Sequence, residues 1–186
     1  MEQMNQAYKV FTRICLNNWH YIDRKVLGLN ESINFFTGHS GSGKSTVIDA
    51  MQIVLYANTD GRGFFNKAAA DDSDRSLIEY LRGMINIGEN NQAEYKRNKN
   101  FSTTIVLEME QTITKEKECI GVVFDVETAT NEINRLFFWH KGELIPGDYR
   151  TKSRAMTISE VRSYLHQNFP KDEMFYTSNN ERFRRN

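Results

Sequence analysis

Gly38-His-Ser-Gly-Ser-Gly-Lys-Ser45 is the stretch whose reading decides the fold. Its fixed positions, Gly38, Gly43, Lys44 and Ser45, satisfy the spacing G-x-x-x-x-G-K-[ST]. From Gly38 through His39, Ser40, Gly41 and Ser42 to Gly43, the small residues let the backbone curl into a nest whose amides point at one anion. A helix opening near Lys44 aims its positive N-terminal dipole at the same place. In this pattern Lys44 is expected to reach the β- and γ-phosphates of a nucleotide such as ATP. The Ser45 hydroxyl is expected to sit on Mg²⁺, with Thr46 next to it.

The flanks agree with that reading. Ser32–Thr37 is apolar enough for a buried strand leading into the loop. Lys44–Ala57 follows as a helix, apolar on most faces through Val47, Ile48, Ala50, Met51, Ile53, Val54 and Leu55, a pattern that places it inside a domain. Upstream, Phe11–Leu16 and Lys25–Leu29 read as strands around a turn at Asn17-Asn18. Downstream, Asn58–Gly63 is a loop, Ser73–Arg82 a short helix stopped by Gly83, and Glu89–Asn100 an exposed loop. Phe101–Glu110, Glu118–Val126 and Ile133–His140 alternate as antiparallel strands, with Lys141-Gly142 turning the chain back into Glu143–Ile145. Thr157-Ile-Ser-Glu160 is a capping box opening a helix with Ile158, Val161 and Leu165 on one face and Pro170 at its close.

Composition narrows the class without naming it. The 186 residues are 39% hydrophobic and 12% aromatic, with 24 basic and 24 acidic side chains. Overall charge therefore gives no argument for nucleic acid, but Arg150–Asn186 holds eight basic residues against four acidic, read chiefly as a solvated end. Cys15 and Cys119 are the only cysteines, which is no disulfide framework or CxxC metal pattern, and a reduced cytoplasmic location fits. No apolar run reaches the ~20 residues that span a bilayer.

Several side chains have two readings. Trp19, His20 and Tyr21 form either a surface for an adenine ring or an aromatic core cluster. Asp49, one helical turn past Ser45, either supports Mg²⁺ through water or caps packing at the sheet edge. Asp125 ends the apolar run Ile120–Asp125 as a magnesium-binding acid would, yet the following Val126, Glu127 and a second apolar run favour a hairpin. Arg62 reads as a solvated loop residue rather than a phosphate or DNA contact. Cys119, His140 and His166 lack partners at metal-ligand spacing and read as structural.

Leu16-Asn-Asn-Trp-His20, Asn34-Phe-Phe-Thr-Gly-His-Ser-Gly-Ser-Gly-Lys-Ser-Thr46 and Val47-Ile-Asp-Ala50 resemble the N-terminal head segment of SMC-type ATPases. Phe65–Ala69, Ser73–Leu77 and Tyr80–Gly83 resemble its MukB-like branch, which includes JetC-type subunits of Wadjet anti-plasmid systems. The resemblance implies an α/β fold, a P-loop NTPase of ABC/SMC-head type, whose N-terminal lobe has mixed and antiparallel strands around the P-loop helix. It implies that Gly38, Gly41, Gly43, Lys44, Ser45 and Thr46 bind nucleotide, with Asn18 and Trp19 near the base. It further implies partners: a C-terminal head lobe after a coiled coil, a second SMC-like head, kleisin-type and accessory subunits, and duplex DNA.

Residues 8–176 are expected to form this lobe, and 177–186 a basic tail that begins a missing continuation. The family's glutamine-bearing loop has no clear match: Gln167 lies in the last helix, and Asn179-Asn180 are the stand-ins. No Ser-Gly-Gly signature and no apolar run ending in Asp-Glu follows Lys44, against the pattern of a transporter ATPase. Two alternatives remain: a self-contained P-loop small-molecule kinase with Arg182, Arg184 and Arg185 as its lid, and an inactive nucleotide-binding remnant.

Overall fold

Alternating apolar residues in long strands call for a sheet with cover on both faces, and a computed structural model shows this arrangement. It describes residues 6–29, 44–56, 77–87 and 92–185. Along the chain run β1 (Lys9–Trp19), β2 (Ile22–Gly28), α1 (Lys44–Tyr56), α2 (Leu77–Arg82), β3 (Met84–Ile87) and β4 (Ala93–Tyr95). Then follow β5 (Phe101–Gln111), β6 (Lys117–Glu127), β7 (Glu132–Lys141), β8 (Arg150–Thr151), β9 (Arg154–Ala155), α3 (Ile158–Asn168), β10 (Met174–Thr177) and α4 (Asn180–Arg184). Six strands form one antiparallel sheet in the order β10-β7-β6-β5-β1-β2; β3-β4 and β8-β9 are separate ribbons.

Side chains along a strand point alternately to the two faces. On the first face, Ile14, Leu16, Ile105, Leu107, Val122, Phe124 and Phe137 pack against Val47, Ala50, Ile53 and Val54 of α1 and Leu77, Tyr80 and Leu81 of α2. On the second, Cys15, Val106, Cys119, Val123 and Phe138 pack under Leu144, Ile145, Tyr149 and Met156, and under Val161 and Leu165 of α3. The helix α1 thus buries one side, while Ile48, Leu55 and Tyr56 remain exposed, so its apolar composition overstated its burial.

Gly121 sits where the sheet leaves no room: a Cβ there would lie 2.6 Å from Phe138 Cζ and 2.9 Å from Ile105 O. Gly83, at φ +66, ends α2 with its amide on Glu79 O, as a left-handed C-terminal residue should.

Several expected boundaries move. The strand expected at Phe11–Leu16 continues through Asn17-Asn18 to Trp19, and the turn falls at His20-Tyr21. Asn18 takes φ +54 within the strand, a conformation Asn tolerates, and its Nδ2 donates to Ser102 O at 3.0 Å. The exposed loop expected at Glu89–Asn100 contains the short strand β4, paired with β3. Glu143–Ile145 is no strand, because β10 occupies the free edge of β7 and Leu144 N–H donates to the Glu108 carboxylate instead. Beyond Thr177 the tail forms α4, with Phe183 packed on the first-face core and stacked on Phe137 at 5.1 Å. The strand expected at Ser32–Thr37, the loop Asn58–Gly63 and residues 73–76 of the short helix lie outside the described residues.

Candidate nucleotide site

The loop Gly38–Gly43 lies outside the described residues, as do Arg62 and Phe65–Ala69. The helix that the motif leads into is described: α1 covers Lys44–Tyr56. Two aromatic rings hold the first two turns of α1. Trp19 Nε1–H donates to the Thr46 carbonyl at 2.8 Å. The Tyr80 hydroxyl donates to Asp49 Oδ2 at 2.7 Å. The two rings are stacked on each other, 5.1 Å between centroids and 16° between planes.

These contacts bear on readings that the sequence left open. Trp19 is fully buried and belongs to the core, which leaves neither of its faces for an adenine ring. His20 is also buried, with its amide donating to Tyr80 O at 2.7 Å. Tyr21 differs: it is 54% exposed, lies 3.8 Å from the His20 ring, and donates its hydroxyl to Met84 O. Asp49 is buried and accepts from Tyr80. Sequence reasoning used Tyr80 only as part of a resemblance; its signal was a tyrosine on the inner side of a short helix, indistinguishable from a core residue.

Arg97 fixes α2 and the β1–β2 turn together. Its buried guanidinium donates to His20 O at 2.7 Å, Leu81 O at 2.9 Å and Ile22 O at 2.9 Å. Burial lowers its pKa to about 10, opposed by Asp23, so it stays charged at neutral pH.

At the same end of the sheet, on the opposite face, a cavity of about 390 Å³ is lined by Asn18, Asn134, Asp125, Arg154 and Thr157 among others. Asp125 is part of the β6–β7 hairpin, paired with Asn134. Its Oδ1 accepts from Ser102 Oγ at 2.7 Å and from Ile158 N–H at 3.1 Å, so the carboxylate serves the start of α3. The capping box of α3 is present as read, with Glu160 N–H on Thr157 Oγ1 and Thr157 N–H on Glu160 Oε1.

The remaining titratable groups hold the second face. Glu108 is fully buried on β5; burial pushes its carboxyl up, but bonds from Arg13, Leu144 N–H and Thr12 outweigh this and hold it at about 2. His140 Nε2 meets the Tyr149 hydroxyl at 2.6 Å, and burial lowers its pKa, opposed by its contact with Lys141 O. Burial raises both Cys15 and Cys119 to about 12, so both are protonated thiols. His166 bonds Tyr176 Oη at 2.8 Å. No cluster of three metal-ligating side chains occurs among the described residues. Gln167 is on the exposed side of α3, and Asn179-Asn180 lead into α4, with Asn179 Oδ1 accepting from Arg182 N–H.

The family described as the P-loop containing region of AAA domain matches residues 11–72 by its sequence model. That span runs from β1 through the Gly-rich loop and α1, about a third of the chain. No curated protein matches the chain. Motif and matched region support a P-loop nucleotide-binding domain, and the α/β fold with its antiparallel six-stranded sheet is consistent with a P-loop NTPase N-terminal lobe. No helix among the described residues is long and apolar enough to cross a membrane.

Proposed function

We propose that this domain binds ATP with Mg²⁺ as the N-terminal half of an SMC/MukB-like ATPase head, in a chromosome- or plasmid-handling machine. The observation that carries the reading is the bond from Trp19 at the end of β1 to Thr46 of α1, the helix that contains the motif's Lys44 and Ser45. Lys44 would contact the β- and γ-phosphates, Ser45 would hold the metal, and the exposed Tyr21 is the member of the aromatic cluster accessible to a base. Hydrolysis needs an acid and a charge-stabilising motif placed against the γ-phosphate. In this reading a C-terminal lobe and a second head supply them. Kleisin-type and accessory subunits and duplex DNA are the further partners in this reading.

Calorimetry with MgATP tests it. The wild-type chain binds, Lys44→Ala abolishes binding, and the chain alone turns over well below an ordinary ~1–10 s⁻¹. Turnover at that ordinary rate by the monomer would overturn the half-site reading. Contact with DNA through the tail predicts salt-dependent duplex binding that weakens when Arg182, Arg184 and Arg185 are replaced by Ala; unchanged binding would move the contact elsewhere. The kinase alternative draws less support. Arg182 lies over the Phe175 ring at 5.4 Å and Arg184 donates to Tyr56 O at 2.6 Å, so two of its three lid arginines are engaged with the body of the fold.

A further inference from the structure

Tyr80 and Trp19 come from elements far apart in sequence, yet their stacked rings send one polar bond each to the same helix. The acceptors, the Thr46 carbonyl and the Asp49 carboxylate, are three residues apart, one turn along α1. Apolar packing is non-directional and leaves a helix soft to rotation and sliding. Two directed bonds a turn apart restrain both motions. A buried carboxylate costs free energy unless it is bonded. An apolar side chain at position 49 would pack without that cost, so packing alone does not account for the acid.

Resting on the nucleotide-binding reading above, we propose that Tyr80 is a positioning residue for nucleotide binding. Through Asp49 in the second turn, and alongside the Trp19–Thr46 bond in the first, it sets the orientation of the N-terminal part of α1, which carries Lys44 and Ser45. A misplacement of ~1 Å at a binding element weakens productive contacts steeply. Tyr80 is itself held: its carbonyl accepts from His20 N–H, and the next residue's carbonyl accepts from the buried Arg97. The clamp is therefore referenced to the β1–β2 turn and does not drift with α1. Coupling is reciprocal. If the clamp sets nucleotide affinity, nucleotide must in turn act on the clamp, and Trp19 is placed to report it.

The test uses the full chain and MgATP. Trp19 and Trp139 are the only tryptophans, so Trp139→Phe isolates the emission of Trp19. Tyr80→Phe keeps the ring stack and removes the hydroxyl; it should raise the Kd for MgATP about tenfold, or ~1.4 kcal/mol. Asp49→Asn, whose amide oxygen still accepts from Tyr80, should stay within about threefold of wild type, a conservative rescue. In the Trp139→Phe chain, saturating MgATP should shift the emission of Trp19, and adding Tyr80→Phe should shrink that shift.

A Tyr80→Phe chain with a lowered urea midpoint but an unchanged Kd would make the bond a packing contact only and overturn the proposal. Should Tyr80→Phe fail to fold, the Trp139→Phe titration decides alone: emission indifferent to saturating MgATP overturns it. Failure of the underlying reading shows separately, in chains that keep Tyr80. No MgATP binding by wild type, or equal binding by Lys44→Ala, would remove the nucleotide site itself.

Discussion

The first face of the sheet, under α1 and α2, is closed by apolar side chains with the Trp19–Thr46 and Tyr80–Asp49 bonds at one end. The second face, under residues 142–156 and α3, is closed by an apolar cluster pinned by ionisable groups. Glu108 accepts from Arg13 at 2.6 Å and from Leu144 N–H at 3.0 Å, and His140 holds Tyr149. Asn17, buried on β1, donates to Asp148 O at 2.8 Å. These bonds hold a segment in which Gly147, Asp148 and Tyr149 all have positive φ, a conformation that costs non-glycine residues ~1–3 kcal/mol each. The face carrying α1 thus holds its helix through an indole and a hydroxyl donor, the latter on the Asp49 carboxylate, while the opposite face is pinned by Glu108 and His140. Acid should therefore loosen the second face.

The largest effect expected on that comparison is at Glu108. Its carboxyl is held at about 2 in the fold, below its ordinary value of 4.5. A depressed carboxylate contributes stability that is present above pH 4.5 and lost as pH falls toward 2. The contribution is about 3 kcal/mol from that shift. Glu108→Gln should lower stability at pH 7 by about 2 kcal/mol, because Arg13 is half exposed and regains water. It should also flatten stability against pH between 4.5 and 2, read from urea midpoints, and leave MgATP affinity unchanged. A loss of affinity in this variant would show that the two faces are coupled.

His140 adds a smaller term of the same sign. Its folded pKa lies below the usual 6.5, so it favours the fold above that pH and penalises it as pH falls further. The smallest effect is at the α3 cap. Thr157→Ala removes the acceptor of Glu160 N–H and should cost about 1 kcal/mol, seen as a lower urea midpoint with MgATP affinity unchanged.

Local signals carried much of this through to the structure. The β5, β6 and β7 meander followed from apolar runs separated by polar turns; its register, with Phe101 opposite Val126 and Val126 opposite Ile133, came from the structure. The capping box placed α3, and Gly83 stopped α2. What failed to show were pairings whose cause lies far away in sequence. Met174–Thr177 has too few residues to declare a strand alone; it is one because β7 offers an open edge. Glu108 reads as an exposed strand residue until Arg13, Thr12 and Leu144 are brought around it. Trp19 had two roles open until β1 was found to run on through Asn18 and put the indole beneath α1.

Sequence alone determined that a phosphate-binding loop leads into α1, because that chemistry is local: glycines, a lysine and a hydroxyl within eight consecutive positions. Tertiary structure decided which groups hold the loop's helix and which face answers to pH. Those roles belong to contacts, Tyr80 with Asp49 and Glu108 with Arg13, whose partners meet only when strands and helices distant in sequence come together.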